Sequence, residues 1–526
     1  MSSLFAAAVS PLLGALTHLA QVNPIDPGSI DTPSVDWTAI IPHLVLMGGG
    51  VVALTLSSIA GRWLPDWFWS AWTAAVGTGA LGGSIWQWFR VQDEPSGGFS
   101  TLGGAVGVDG FSVYLTGLIS ATVVLTAILA YDYTKRRGVA QLELYVLLLL
   151  SASGGVVMAG ANDLIVMFLG LEVLSIAVYV LAALDLRRFR SQEAGMKYFV
   201  LGAFSSAFFL YGIALIYGAA GSTNLLDIDR FLSTNQLLDD GLLLGGFALL
   251  LVGLLFKVGA VPFHAWTPDV YQGAPSPIVA YMASGVKVAG FAAMLRIFWL
   301  TFGDYRTDWQ PIIYAIAAIT LLVGSIVAVV QTDVKRMLAY SSISHAGYIL
   351  VGVQAATADG TSAALFYLGA YSFMVIGSFA VVTVMGSDGE SAQSLGDYSG
   401  LARRRPVLAL TFTLFLFAQA GVPFTSGFFA KFYVISAAVD ARSYWLAAIA
   451  MMAAVIAAVL YLRIVLAMYI GTGDDTADAP TGAVRIAPGA AFVLFVAAAM
   501  TVTFGIIPFP IVDLARDAVP VLVAAG

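Results

Sequence analysis

Apolar stretches of about 20 residues recur along this chain from Trp37 to Pro508, each long enough to cross a hydrocarbon core of about 30 Å as a helix. In lipid every backbone N–H and C=O must find a partner within the protein, which confines spans of this length to helices. Fourteen such stretches can be counted, centred near 48, 78, 120, 151, 174, 207, 251, 288, 321, 346, 373, 420, 456 and 497. Composition agrees: 59% of residues are hydrophobic and 10% charged, against roughly 45–50% and 25% in soluble domains. The expected fold is an all-α polytopic membrane protein with about 14 transmembrane helices.

Several chemistries are excluded by residue type. The chain has no cysteine, which removes disulfides, cysteine-ligated zinc and cysteine-bound iron–sulfur clusters. Its 54 glycines form neither a phosphate loop ending in Lys-Ser/Thr nor a Gly-x-Gly-x-x-Gly turn. The net charge of −7 and the lack of a basic patch exclude nucleic acid as a partner. Residues 4–20 are apolar but carry Pro11, Gly14 and His18, and read as an interfacial helix or an extra span. The segment Asn23–Asp36 reads as a surface linker.

Basic residues cluster in alternate loops: Lys135–Arg137, Arg187, Arg188 and Arg190, Lys335 and Arg336, and Arg403–Arg405. The positive-inside rule places these loops in the cytoplasm and, with fourteen spans, both termini outside. The run Phe199-Val-Leu-Gly-Ala-Phe-Ser205 returns as Phe366-Tyr-Leu-Gly-Ala-Tyr-Ser372, and Leu255-Phe-Lys-Val-Gly-Ala-Val-Pro-Phe263 returns as Leu416-Phe-Ala-Gln-Ala-Gly-Val-Pro-Phe424. A weaker match pairs Ser175–Tyr179 with Ser344–Tyr348. Matched segments are five spans apart, an odd number, so the two units have opposite orientation, as in inverted-repeat transporters. The expected organisation is a peripheral segment 1–36, helices 1–3 in 37–138, a first five-helix repeat in 139–302, a second in 303–471, and a last helix with tail in 472–526.

Of six lysines, Lys197, Lys257, Lys287 and Lys431 fall inside spans. A charged lysine at mid-membrane costs at least about 2.5–3.5 kcal/mol on insertion scales, so each must pair, line water or lose its proton. Lys257 precedes Pro262 and Lys431 follows Pro423, so each repeat sets a lysine beside an expected helix break. Glu172 lies too deep in the fifth span for its short side chain to reach water and needs a cationic partner, for which Lys257 is the first candidate. Small neighbours around Lys287 leave room for water and suit a central relay. Lys197 reads equally as an interfacial lysine or an entry relay, His345 as a bridge to the second repeat or a core histidine, and His264 as a polar capping residue.

The run Val261-Pro-Phe-His-Ala-Trp-Thr-Pro-Asp-Val-Tyr-Gln-Gly-Ala-Pro-Ser-Pro277 resembles the signature of antiporter-like membrane subunits of respiratory complex I and its relatives. Glu193-Ala-Gly-Met-Lys-Tyr-Phe-Val-Leu-Gly-Ala-Phe-Ser-Ser-Ala207 resembles subunit N of NADH-quinone oxidoreductase in particular, and the similarity runs over roughly residues 38–508. The resemblance implies two inverted five-helix repeats with broken helices in a bacterial inner membrane, and a proton path through Glu172, Lys257, Lys287 and Lys431, with Lys197 matching a lysine of subunit N; His345 joins the candidate residues on its own chemistry. It also implies that this chain binds no cofactor. NADH, FMN, iron–sulfur clusters and quinone would then be held by partner subunits, with other antiporter-like subunits as neighbours. A multisubunit sodium/proton antiporter and a scaffold are the competing functions. The topology is checked with a periplasm-dependent reporter, expected to be silent after Arg137 or Arg405 and active after Asn235; activity after Arg405 overturns the span count.

Overall fold

The computed structural model describes residues 35–523, apart from 140, 236, 238–239, 387–392 and 471–485. The apolar stretch 4–20 and nearly all of the expected linker lie outside the described residues. The chain is helical almost throughout. It begins with α1 (Ile41–Ala60) and α2 (Trp67–Gln92), followed by a small hairpin of β1 (Gly98–Thr101) and β2 (Val106–Asp109). Then come α3 (Gly110–Arg137), α4 (Gln141–Gly160), α5 (Leu164–Ala182), α6 (Phe189–Ala220) and the short α7 (Leu225–Thr234). Next are α8 (Gly241–Val258), α9 (Trp266–Gly273), α10 (Ser276–Thr301), α11 (Arg306–Val330), α12 (Val334–Gln354) and α13 (Ala358–Met385). The chain continues through α14 (Pro406–Ala420), α15 (Ser426–Asp440), α16 (Tyr444–Ile470), α17 (Pro488–Ile506) and α18 (Phe509–Asp517).

Among the described residues, 11 helices are long and apolar enough to span a membrane. The other three expected centres fall on α2, on α12, and at the junction of the shorter helices α14 and α15. The spans form a centre and a shell. The spanning windows of α10 and α13 are 100% buried, whereas that of α1 is only 22% buried, which leaves its apolar side for lipid or a neighbouring protein.

Two helices are interrupted, and in the same way. The sequence points to the prolines, but both helices stop before them. Gly259 and Gly421 adopt left-handed conformations, φ +73° and +92°. At the first break Gly259 N–H donates to Phe256 O and Ala260 N–H to Leu255 O; at the second Gly421 N–H donates to Ala418 O and Val422 N–H to Phe417 O. Both are Schellman closures, which favour glycine because an L side chain resists that backbone. The closures are 162 residues apart, one more than the sequence match. Pro262 and Pro423 then keep the chain from resuming its helix at once.

One face of the bundle carries the basic loops. There α12 begins beside the end of α9, with the Lys335 ammonium donating to Ala274 O at 2.7 Å. On the opposite face, Asp109 and Arg296 are both fully buried and joined at 2.7 Å. Arg296 also donates to Asn162 Oδ1 (2.8 Å) and Ala159 O (3.0 Å). Asp109 accepts from the backbone N–H of Ser112 at the start of α3 and from that of Val521 beyond α18. This cluster ties α3, α4, α10 and the C-terminal segment together. Arg296→Met should destabilise the protein by about 3–5 kcal/mol in detergent unfolding, because Asp109 keeps a buried charge without its partner. Adding Asp109→Asn should recover part of that loss; an unchanged midpoint in the single variant would show that the pair does not hold this end.

Candidate functional site

The buried cations lie on helices interrupted beside them. Lys257 is the next-to-last residue of α8, two before its Gly259 cap, and its ammonium donates to Ser175 Oγ of α5 at 2.8 Å. It also faces the rings of Tyr179 and Tyr198, 5.8 and 5.6 Å from their centroids. The expected direct pair with Glu172 does not form. Glu172 lies three residues before Ser175 on α5, turned about 60° from it at about 100° per residue. Glu172 is half-buried, its Oε1 has no hydrogen-bond partner among the described residues, and the adjacent Leu169, Val173 and Ile176 are exposed. Glu172 therefore lies beside the outward stripe of α5 with its Oε1 buried, and Ser175, not Glu172, meets the lysine.

Lys287 is 3% exposed and sits on α10 directly after a π-helical turn, Met282–Val286. Such turns widen a helix locally and recur at functional sites. The ammonium donates to Ser342 O (2.6 Å) and Ser342 Oγ (2.7 Å) on α12. One turn further along α12, His345 contacts the Tyr367 hydroxyl through Nδ1 (2.7 Å) and the Tyr461 hydroxyl through Nε2 (3.2 Å). Tyr348 follows on the same helix, and Lys431 Nζ lies 4.9 Å from its ring centroid. Lys431 itself donates to Ala420 O at 2.8 Å, the carbonyl at the end of α14. A cation is favoured at the negative end of a helix, so the second break supplies the counter-dipole that Lys431 needs. At the first break the tryptophan of α9 takes the equivalent role, Trp266 Nε1 donating to Phe256 O at 3.0 Å.

Lys197 stands apart from these. Its side chain is 42% exposed, on the basic face, and pairs with Glu193 and Asp269 at 2.8 Å each. Asp269 also accepts from Arg336 (2.7 Å), so the short α9 is fastened to α6 on one side and α12 on the other. A cavity of about 150 Å³ opens beside this cluster, lined by Arg190, Glu193, Lys197, Asp269 and Gln272. The next residue, Tyr198, stacks on Trp266 at 4.3 Å and separates that cavity from Lys257. His264 does not cap α9 with its ring: its backbone carbonyl accepts from Thr267 N–H, while Nδ1 has no partner among the described residues.

Several site residues escape sequence reasoning. Lys335 belongs to a basic loop cluster yet is fully buried. Asp269 lies inside a quoted motif, and Tyr367 and Tyr461 are ordinary apolar-looking positions in a helix. Only Arg296 left a signal, since an arginine inside an apolar span requires a partner. Among the described residues, no group of three His, Asp or Glu side chains is placed to hold a metal.

A family model described as "NADH:quinone oxidoreductase/Mrp antiporter, TM" matches residues 161–457. NADH-quinone oxidoreductase subunit N of Trichlorobacter lovleyi is 39% identical, the match covering 93% of this chain and 98% of that protein. Its counterpart in Mycobacterium tuberculosis is 46% identical over 78% and 77% of the two chains. Among solved structures, a chain of respiratory complex I from Thermus thermophilus superposes with a TM-score of 0.74 at 30% identity, covering 92% of this chain and all of that one. A chain of the Mrp complex from Dietzia sp. has a TM-score of 0.80 at 22% identity, covering 92% of this chain and 97% of that one, and shares the fold.

The position of Glu172 yields a stability test. With Oε1 buried and unbonded and no ion pair to break, Glu172→Gln should leave the unfolding free energy unchanged or raise it, because a neutral amide costs less to bury than a carboxylate. A loss of about 3–5 kcal/mol would instead reveal a locked buried salt bridge.

Proposed function

Because the chain belongs to the NADH:quinone oxidoreductase/Mrp antiporter membrane family, among relatives named NADH-quinone oxidoreductase subunit N, we propose that its buried lysines carry protons. It is a proton-translocating membrane subunit of NADH-quinone oxidoreductase, and its partners are the other subunits of that complex. The observation that carries the assignment of residues is the placement of Lys257, Lys287 and Lys431. All three are at most 6% exposed, none has an acidic partner within an ion-pair distance among the described residues, and each lies at a helix break or irregularity. Burial disfavours the charged form of a lysine that lacks a counter-ion, and this allows it to take up and release a proton.

In this reading Lys257 and Lys287 hold protons in the first half, His345 bridges, and Lys431 is the exit site. Lys197 collects protons at the basic face, which is the cytoplasmic side of a bacterial inner membrane. Both termini then lie outside, and residues 139–302 and 303–471 are the two inverted repeats. Glu172, at the edge of the outward stripe of α5, biases Lys257 through space rather than by contact: at an effective dielectric of about 20, charges well beyond hydrogen-bond distance still interact by more than a kcal/mol. Moving a neighbouring charge toward or away from Glu172 would change that bias. Quinone reduction, with NADH, FMN and iron–sulfur clusters, belongs to partner subunits and supplies the energy, which makes the assembly a translocase. The sodium/proton antiporter reading draws on the Mrp likeness, which at 22% identity speaks for the fold alone.

The test is whether Lys257 must lose its proton or only be positive. Arginine keeps its charge at any relevant pH. Lys257→Arg should therefore impair proton uptake per electron in inverted vesicles nearly as much as Lys257→Met, with assembly confirmed by blot. Lys431→Ala should lower proton-coupled turnover in the same assay. Normal pumping in the arginine variant would make Lys257 a fixed counter-charge.

A further inference from the structure

Four tyrosine rings lie under the buried ammonium groups. Lys257 Nζ is 5.8 Å from the ring centroid of Tyr179 and 5.6 Å from that of Tyr198. Lys287 Nζ is 5.5 Å from that of Tyr371, and Lys431 Nζ is 4.9 Å from that of Tyr348. All are inside the roughly 6 Å over which an aromatic face attracts a cation. Arg296 also faces a ring, that of Phe111 at 5.3 Å, but its charge is met by Asp109.

The rings are placed by features of their own. Tyr179 and Tyr348 close the two matched segments Ser175–Tyr179 and Ser344–Tyr348, and each faces the lysine beside the helix break of its own half. The Tyr348 hydroxyl donates to Ala450 O at 2.7 Å, and its ring stacks on Tyr367 with centroids 6.0 Å apart. Tyr198 stacks on Trp266 at 4.3 Å and meets Tyr179 edge-on at 4.7 Å. Gly202 of α6 leaves the space that the Tyr179 hydroxyl fills, where a Cβ would collide with it. The Tyr198 hydroxyl is buried and has no partner among the described residues, so the ring is what this position contributes.

We propose that Tyr179, Tyr198, Tyr371 and Tyr348 are positioning residues whose ring faces hold the charged forms of Lys257, Lys287 and Lys431 where a carboxylate would otherwise stand. The inference rests on the proton-carrying reading above. A ring facing a desolvated ammonium favours the charged over the neutral amine by about tenfold. A carboxylate in contact favours it much further and retains the proton. The two also differ once the proton has gone. A carboxylate is then left as a buried charge without a partner, which is costly, whereas a neutral ring strands nothing. The ring therefore helps a lysine to take up a proton without opposing its release.

The test replaces Tyr348, and separately Tyr198, by phenylalanine and by phenylalanine carrying three ring fluorines, in the assembled complex. Fluorine draws electron density from the face and weakens its hold on a cation at nearly constant ring shape. Tyr348→Phe and Tyr198→Phe keep the face and should retain most proton-coupled turnover in inverted vesicles. Relative to them, the fluorinated ring should lower turnover by about tenfold at Tyr348, and by less at Tyr198, where Tyr179 remains. A role in packing alone predicts no loss at Tyr198, because an electron-poor ring stacks at least as well on the indole of Trp266. If Tyr348→Phe does not assemble for want of its bond to Ala450, the Tyr198 pair decides, since no hydrogen bond is lost there. Equal turnover with plain and fluorinated rings, while Lys257→Met and Lys431→Ala are impaired, overturns the role of the rings alone. Unimpaired turnover in both lysine variants as well overturns the reading beneath it. A Tyr198→Phe complex as impaired as its fluorinated counterpart would assign the effect to the hydroxyl, and also overturns the proposal.

Discussion

Burying a cation at membrane depth without an anion beside it is the constraint on which the rest of this structure depends. Born costs forbid a bare ammonium in hydrocarbon. Each buried lysine is therefore met by neutral acceptors: Ser175 for Lys257, the carbonyl and hydroxyl of Ser342 for Lys287, and the end of α14 for Lys431. Such partners tolerate both the charged and the neutral amine. A carboxylate in contact would have fixed the charged form. The second helix break serves the same need for Lys431, because the last carbonyls of α14 have no partner within the helix and Ala420 O is free to receive the ammonium.

Where charge is paired tightly, it holds structure. Arg296 and Asp109 are fully buried and mutually satisfied, and they close the face opposite the basic loops. On the basic face the Lys197–Asp269–Arg336 cluster is partly exposed and spans three helices. The short α9 hangs between a Schellman turn and this cluster. Its position is thus set by contacts from both halves of the protein, with the Tyr198–Trp266 stack lying between the cluster and Lys257.

Much of the fold could be read in the chain because lipid imposes a length and a composition on every span, and the repeated Gly-Val-Pro-Phe and Gly-Ala-Val-Pro-Phe segments mark both interruptions. The lysines were legible for the same reason: a charge in an apolar run stands out. Glu172 shows the limit. Its depth along α5 could be counted, but the side it faces depends on where α8 packs, and a rotation of about 60° separates the Ser175 position that bonds Lys257 from the Glu172 position that does not. Lys335 shows the converse, since a residue in a basic loop cluster proved fully buried once α9 folded back over it.

By itself the sequence determined which residues must lie at membrane depth, that the chain is a helical bundle with two interrupted helices, and which few side chains there can hold a proton. These follow from hydrophobicity, backbone hydrogen bonding and the chemistry of single residues, all local properties. Only the tertiary structure decided which neutral groups receive each lysine, that Ser175 stands in for direct contact with Glu172, and that serines, a glutamine and tyrosines from four helices join around His345. Hydroxyls and amides are unremarkable in an apolar run because each can bond to its own helix, as Ser378 does to Met374. Their joint arrangement depends on helix rotation and crossing, which are fixed by packing between residues from 22 to 120 positions apart.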